Sequence, residues 1–286
     1  MWNEILFFAV FLLQVFMLSL YYPNKVLERI SYIFKHYPME THEKLYPEGF
    51  EKASKGKTIF EFLARVILVI SLIVYAVMAL EIFVHGKGVE QLDHVPLLLG
   101  LVQVVPFFVL ELFGFKHLKK MRAKSDAKKR SASLQVRSIL RYVGSIELSV
   151  AAFVLLLCIC LIVSINEFTL NFEVSTLLAT LALSNGLFLA LAYKLVYGKK
   201  IDPYQAEEDR ELMTSSALRS FLLVSILISV YFIFDQLANI YPLSSWAGTI
   251  NSLYWLTIAF YSFGLGMKTI NIKDVNYDVY KTSASS

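Results

Sequence analysis

The chain of 286 residues contains seven long apolar stretches, and this recurrence constrains its fold more than any other feature of the sequence. A bilayer core about 30 Å thick is crossed by a helix of about 20 apolar residues, because such a helix satisfies its backbone polar groups internally. Each stretch meets this requirement. The sequence therefore predicts an all-α integral membrane protein, a single membrane domain folded as a seven-transmembrane-helix bundle. The predicted spans are residues 5–22, 62–84, 95–115, 142–165, 174–197, 217–241 and 244–267.

Composition and charge are typical of a membrane protein and disfavour a nucleic-acid-binding one. Hydrophobic residues make up 57% of the chain and charged residues 17%, as in polytopic membrane proteins. The net charge of +4 is the small remainder of 27 basic and 23 acidic residues, so we expect no nucleic acid as a partner. The first stretch lacks the basic start and the small-residue cleavage site of a signal peptide, and we expect it to be retained as a span.

The distribution of Lys and Arg predicts the orientation of the bundle. Short loops rich in these residues stay cytoplasmic. Every Lys and Arg except Lys87 lies in or beside alternate loops and the C-terminal tail. We therefore expect the N-terminus outside and the C-terminus in the cytoplasm, in a plasma membrane or a bacterial inner membrane. The predicted cytoplasmic segments are the loops 23–61, 116–141 and 198–216 and the tail 268–286.

The basic run at residues 116–141 holds ten Lys or Arg and one acid, Asp126. Its first predicted role is to orient the chain during insertion. A second is contact with anionic lipids, since clustered basic residues just cytoplasmic of a span attract acidic headgroups. A third is docking of the acidic residues of 202–211 on the run. The candidate lipid contacts are Lys119, Lys120, Arg122, Lys124, Lys128, Lys129 and Arg130.

The first cytoplasmic loop begins with an amphipathic pattern. Apolar residues recur at helical spacing over residues 24–36, with charged residues between them. This pattern predicts an amphipathic interfacial helix lying in the headgroup region. Two Tyr-Pro steps, at Tyr37 and Tyr46, follow it, and the residue before a proline is disfavoured in a helix, so we expect the helix to end there.

Polar residues inside the spans are the principal functional clue, because ionisable groups in a membrane usually face a partner or a cavity. Glu81 and Asp235 lie near the predicted outer face, where we expect too few basic residues to pair with them. Neutral residues occupy mid-depth, and the hydrogen bonds they form between helices also serve packing, at about 0.6 kcal/mol each. The candidates for a polar pathway are Glu81, Gln103, Glu111, Glu147, Asn185, Asp235 and Asn251.

Other helix positions have a structural interpretation. Glu61 and Arg65 are spaced to pair on one helix. Glu111 and Glu147 have Lys194, Arg141 and Arg219 as possible cations near the same face. Small residues at Ala182, Gly186 and Ala190 predict close approach of another helix.

Common catalytic and cofactor signatures are absent from the sequence. It contains no HExxH, GxSxG, GxxxxGK[ST] or CxxC motif, and no histidine lies in the middle of a span. We therefore predict no catalytic residue, no metal and no cofactor.

Three functions remain compatible with this pattern. The first is a transporter or channel for a small solute or ion, which predicts a hydrated cavity reaching Gln103 or Asn185. The second is a non-catalytic membrane scaffold or subunit that binds protein partners, or a second copy of itself, and predicts a dry interior. The third is a lipid-active intramembrane enzyme, for which the sequence offers no nucleophile.

Overall fold

The computed structural model describes residues 2–125, 137–198, 200, 202–241 and 243–281. Among these residues, the chain forms α-helices with short π and 3-10 segments and no strand, which confirms the predicted all-α class. The chain divides into two compact units. Unit 1 comprises Met1–Ser131, Lys200–Asp209 and Trp246–Ser286, and unit 2 comprises Ala132–Lys199 and Arg210–Ser245.

The helices that are long and apolar enough to cross a membrane number six in the described part of the chain. They support a membrane protein whose apolar helices contact a lipid bilayer. The stretch predicted as a seventh span is also helical, as Ser244–Ala259, Phe260–Leu265 and Gly266–Thr269, but it is not among the six. The six are Trp2–His36, Phe50–Phe83, Val95–Lys124, Ser145–Ile165, Phe172–Tyr197 and Glu207–Ala238.

The first of these helices contains three segments, α1 (Trp2–Phe16), a π segment (Met17–Tyr21) and α2 (Tyr22–His36). The predicted amphipathic helix is therefore present as α2, and it ends at the first Tyr-Pro step as expected. It follows α1 without an intervening loop. Its Phe34 ring lies 5.2 Å from Phe50, so part of its apolar face is covered by protein.

Two further helices of unit 1 extend beyond the predicted spans. Helix α3 (Phe50–Phe83) begins 12 residues before the predicted start at 62, and α4 (Val95–Lys124) ends 9 residues after the predicted end at 115. Both extensions are rich in Lys, which is a good helix former once the chain has left the lipid. Apolar length measures only the part of a helix that crosses the bilayer, which explains the difference.

The core of unit 1 forms where α1 and α2 run antiparallel to α3. Phe8 lies 5.0 Å from Phe83 near one end of the pair, and Phe34 lies close to Phe50 at the other. Helix α9 (Ser244–Ala259) packs against α4, where the Trp255 indole donates a hydrogen bond to the Leu97 carbonyl oxygen at 3.0 Å.

This contact between α4 and α9 requires a glycine. A Cβ atom at Gly100 would lie 2.1 Å from Trp255 Nε1, closer than any real contact. Close approach of helix backbones at small residues is the usual means of packing in membranes. Gly100 therefore fixes how near the indole sits to α4.

Unit 2 contains α5 (Ile139–Tyr142), α6 (Ser145–Ile165), α7 (Phe172–Tyr197) and most of α8 (Glu207–Ile240). One apolar cluster includes Cys158, Ile162, Val174 and Leu181, and another includes Val143, Ala192, Val196 and Leu218. The small residues of α7 at positions 182, 186 and 190 are exposed instead. A Cβ atom at the middle one would meet no described atom within 4 Å, so the described chain does not make the predicted helix contact there.

Candidate functional site

The polar residues at mid-helix in unit 1 form a buried hydrogen-bonded network. Gln14 Nε2 donates to Gln103 Oε1 at 3.1 Å and to the Pro96 carbonyl oxygen at 3.0 Å. Gln103 Nε2 donates to Ser19 Oγ at 2.9 Å, and the Ser19 and Ser71 hydroxyls lie 3.2 Å apart. Both glutamines are fully buried. The sequence indicated these side chains one by one, but periodicity alone does not show that three helices bring them together.

Asn251 has a local structural partner as well. Its Nδ2 donates to the Asp93 carbonyl oxygen at 2.8 Å, beside the first turn of α4. Together with the indole bond from Trp255, this contact attaches α9 to the start of α4. Both residues therefore have a packing role in unit 1.

Glu81 is neutralised by bases that follow it in the chain. Lys87 Nζ lies 2.6 Å from its carboxylate and His85 Nδ1 lies 3.4 Å from it. Lys87, the one lysine near the predicted outer face, pairs with Glu81 because the turn after α3 folds it back onto the carboxylate. The expectation that this layer as a whole has too few bases stays a prediction. Glu111, on α4, is exposed.

In unit 2, Glu147 stabilises the beginning of α6. Its Oε2 accepts a hydrogen bond from the Gly144 backbone N–H at 3.3 Å and lies 3.4 Å from Arg219 Nε. A carboxylate in the first turn satisfies a free backbone N–H and interacts favourably with the helix dipole. Arg219 is one of the three cations that the sequence left open as partners for Glu147. The predicted pairing of Glu61 with Arg65 is confirmed at 2.6 Å.

The two remaining candidates, Asn185 and Asp235, also have neighbours within unit 2. Asn185 Oδ1 accepts from Ser225 Oγ at 2.5 Å, and its Nδ2 donates to the Leu181 carbonyl oxygen. Asp235 Oδ2 accepts from the amide of Gln236 at 3.4 Å. The seven pathway candidates thus divide between the two units. Within the described residues of each unit, the candidates other than Glu111 bond to different partners rather than to one another.

Outside the apolar helices, three segments of unit 1 fold together, and we call them the loop–tail platform. It comprises the described residues of 37–49, 200–209 and 270–281. The Tyr37 and Tyr277 rings stack with centroids 4.2 Å apart. Tyr280 donates its hydroxyl proton to Asp202 at 2.5 Å, which ties the tail to the acidic segment.

Helix α2 holds the tail where it leaves the last helix. The Arg29 guanidinium donates to the carbonyl oxygens of Met267 and Ile270 at 3.0 and 2.6 Å. Two orphan carbonyls at a helix C-terminus are satisfied in this way. The Asp209 carboxylate accepts from the backbone N–H of Asn276 at 3.0 Å.

Burial within the platform shifts several pKa values. Burial raises the pKa of Tyr277 to about 12 and that of Tyr46 to about 12, so both phenols stay protonated at neutral pH. The pKa of His42 lies below its ordinary 6.5, mainly because the ring is buried and secondly because the charge of Lys281 disfavours the imidazolium.

The platform was not predicted from the sequence. The aromatic motif NYDVY, in an otherwise polar tail, was the one signal that pointed to it.

The platform contains a partly open cavity of about 480 Å³. Lys44 Nζ lies 5.5 Å from the centroid of the Tyr204 ring, a cation–π contact, and Lys124 donates to the Pro47 carbonyl oxygen. The two lysines are thus held by neutral groups. The lining residues are Met39, Glu43, Lys44, Tyr46, Pro47, Glu48, Gly49, Met121, Lys124 and Tyr204.

The basic run meets this platform at its first residues. Lys120 pairs with Glu48, and Lys119 and Arg122 are exposed beside it at the end of α4. The lysine hydrogen bond is the main reason why the pKa of Glu48 is lowered. Lys128, Lys129 and Arg130 lie outside the described residues.

Among the described residues, the acids of 202–211 have partners of several kinds. Within unit 2, Glu211 pairs with Arg141 at 2.6 Å, which fits the expected docking. In unit 1, Asp202 and Asp209 bond to the tail instead, and Glu207 pairs with Lys200 at 2.7 Å. The described acids are therefore shared between the tail and nearby bases.

Among the described residues, no three His, Cys, Asp or Glu side chains gather in a way that would hold a metal ion. The chain matches no family model, no curated protein and no solved structure.

Proposed function

We propose that the protein is a seven-span membrane component, with its N-terminus outside and its tail in the cytoplasm, that binds a protein partner through the loop–tail platform. Under this proposal the chain conducts no solute and catalyses no reaction. The distribution of Lys and Arg supports the orientation. The helical stretch from Ser244 to Thr269 supports the seventh span, because it contains 26 consecutive helical residues and about 20 suffice to cross a bilayer.

One observation carries the proposal: the seven pathway candidates, apart from the exposed Glu111, bond to protein groups. Gln103, which a hydrated pathway would expose, is fully buried and bonded to Gln14 and Ser19. Asn185 is bonded to Ser225. Neither of the two described cavities is lined by a pathway candidate. This pattern favours a packed interior whose hydrogen bonds hold helices together.

The chemistry of the platform cavity indicates what kind of partner would fit. Met39, Met121 and the two tyrosines supply apolar surface, while Lys44 and Lys124 supply charge whose immediate partners are neutral. Two acids also line the cavity, Glu43 and Glu48. Lys52 and Lys120 neutralise Glu48, so the two lysines of the lining outnumber the remaining acid. A short partner segment with an apolar side chain next to a carboxylate would satisfy both parts of this surface.

Site-specific photocrosslinking tests the proposal. A photoreactive amino acid replaces Met39 in the full-length protein in native membranes, and the adduct is measured with and without a cavity substitution. We expect Tyr204→Ala and Lys44→Glu each to reduce one discrete adduct at least fivefold, because they remove its aromatic and cationic contacts. Lys55→Glu, an exposed charge reversal outside the cavity, is the matched control.

The outcomes separate a docking site from adventitious contact. An adduct that persists in both cavity variants, or that Lys55→Glu also removes, contradicts the proposal. Each variant is compared at equal membrane abundance, so that loss of folding does not count as loss of binding.

A solute pathway is the second candidate, and one observation favours it. Gln14 Oε1, Thr249 Oγ1 and Ser252 Oγ are buried with no hydrogen-bond partner among the described residues. Buried groups of this kind are often satisfied by internal water. Measurement of water and potassium flux in proteoliposomes distinguishes the two: the binding proposal predicts no flux above empty liposomes, and a flux that Gln103→Leu abolishes would overturn it.

A further inference from the structure

A second cavity of unit 1, of about 600 Å³, is an open groove between α2 and the first part of α3. Its wall on α2 includes Tyr32 and His36, whose rings stack with centroids 4.0 Å apart. Apart from Leu27, polar and charged side chains form the remainder. The lining residues are Asn24, Leu27, Glu28, Ser31, Tyr32, Lys35, His36, Lys57 and Glu61.

The groove carries a surplus of positive charge. Glu28 pairs with Lys25 at 2.8 Å, and Glu61 pairs with Arg65 at 2.6 Å. Neither of these two cations is part of the lining. Both carboxylates are therefore neutralised from outside, which leaves the charges of Lys35 and Lys57 uncompensated among the described groups of the groove.

The position of the groove places it beside lipid-facing surface. Glu61 stands where the apolar part of α3 begins, and the residues that follow on the same helix are exposed and apolar. Phe62 is 65% exposed and Val69 is 56% exposed. In a membrane-spanning helix, such a surface contacts acyl chains, and the groove lies directly at its polar end.

We propose that this groove binds an anionic phospholipid, whose headgroup phosphate contacts Lys35 and Lys57 and whose acyl chains lie along the exposed apolar face of α3. The stacked Tyr32 and His36 rings form a flat wall for the headgroup. Amphipathic side chains such as Tyr are favoured at this depth because one end is apolar and the other is wet. This site is separate from the platform cavity and stands independently of the partner proposed above.

Retention of lipid by the purified full-length protein tests the proposal. The protein is equilibrated in mixed micelles with phosphatidylglycerol or phosphatidylcholine, and bound lipid is counted by native mass spectrometry. We expect preferential retention of phosphatidylglycerol. A lysine near an anionic headgroup contributes about 1 kcal/mol, so Lys35→Gln and Lys57→Gln should each weaken this retention about fivefold.

A matched substitution controls for net charge. Lys55→Gln removes one exposed positive charge from the same helix, outside the groove, and should leave retention within twofold of the wild type. Glu61→Gln should increase retention, because the paired Arg65 is released while the groove loses a carboxylate. Thermal unfolding of each variant verifies that the fold is intact.

The result that overturns the proposal is equally definite. Equal retention of phosphatidylglycerol by the wild type and the Lys35→Gln/Lys57→Gln double variant, or an equal loss in Lys55→Gln, would refute it. Glycerophosphoglycerol carries the same phosphodiester headgroup without acyl chains, and we expect it not to compete at millimolar concentration. Full competition would assign the groove to a soluble phosphate ester and refute the lipid assignment.

Discussion

His42 is buried in the loop–tail platform, and its environment disfavours the charged imidazolium. Its Nδ1 lies 2.8 Å from the Thr41 hydroxyl, and its Nε2 has no partner among the described residues. Tyr37 packs edge-on against the ring at 5.1 Å. Asp278, which favours the charged form, has a smaller effect on the pKa than burial and Lys281.

This environment predicts a pH dependence of the platform. The folded pKa of His42 is below the unfolded value of 6.5, so the unfolded loop binds more protons as the pH falls. Stability contributed by the neutral ring is present above pH 6.5 and is lost as the pH falls from 6.5 toward the folded pKa. The protection factors of the amides of residues 37–49, which are exchange rates corrected for the intrinsic effect of pH, should therefore fall as the pH is lowered from 7.5 to 5.5.

Two substitutions identify the residue responsible. His42→Gln should remove most of this pH dependence, since glutamine does not titrate. His36→Gln, at an exposed histidine six positions away, should retain it. If amide protection of residues 37–49 still depends on pH in His42→Gln, another group of the platform titrates.

At the scale of the helix, Gly100 shows how one missing side chain positions two elements. The interior of α4 tolerates glycine at both Gly100 and Gly114, yet only the first faces a neighbour. A Cβ atom at Gly100 would collide with the Trp255 indole, whereas one at Gly114 would meet no described atom within 4 Å. The two positions form a natural pair for mutation.

We predict that alanine destabilises the fold at Gly100 but not at Gly114. Gly100→Ala should displace Trp255, break its bond to the Leu97 carbonyl and cost about 1–3 kcal/mol, the usual range for overpacking. Gly114→Ala should be neutral or slightly stabilising, because alanine favours the helix by about 1 kcal/mol over glycine. Thermal unfolding in detergent measures both. Equal melting temperatures for the two variants would contradict the predicted contact.

Helix class was predictable because apolar length reports directly on the part of a chain that lies in lipid. The pairing of Glu61 with Arg65 was also predictable, because it depends only on two residues that lie four positions apart on one helix. The network around Gln103 was not, because it depends on which faces of three helices meet. The reversal of Lys87 onto Glu81 depends on a turn whose geometry no periodicity records.

For the whole molecule, the proposed seven-span orientation predicts which residues are accessible from each side. In a background with Cys158 and Cys160 replaced by Ser, we expect Glu90→Cys and Tyr241→Cys to react with a membrane-impermeant maleimide on intact cells. Glu40→Cys and Lys281→Cys should react only after permeabilisation. Labelling of Tyr241→Cys and Lys281→Cys from the same side would show that residues 244–267 do not cross the membrane.

Helix α3 runs unbroken from Phe50 to Phe83 and is therefore about 51 Å long, at about 1.5 Å per residue. One end adjoins the platform and the other carries Glu81. A stiff rod of this length acts as a lever: a tilt of about 5° displaces its far end by about 4 Å, nearly one helical turn. If α3 tilted in the bilayer, the end that adjoins the platform would therefore move by several ångströms relative to the end that carries Glu81.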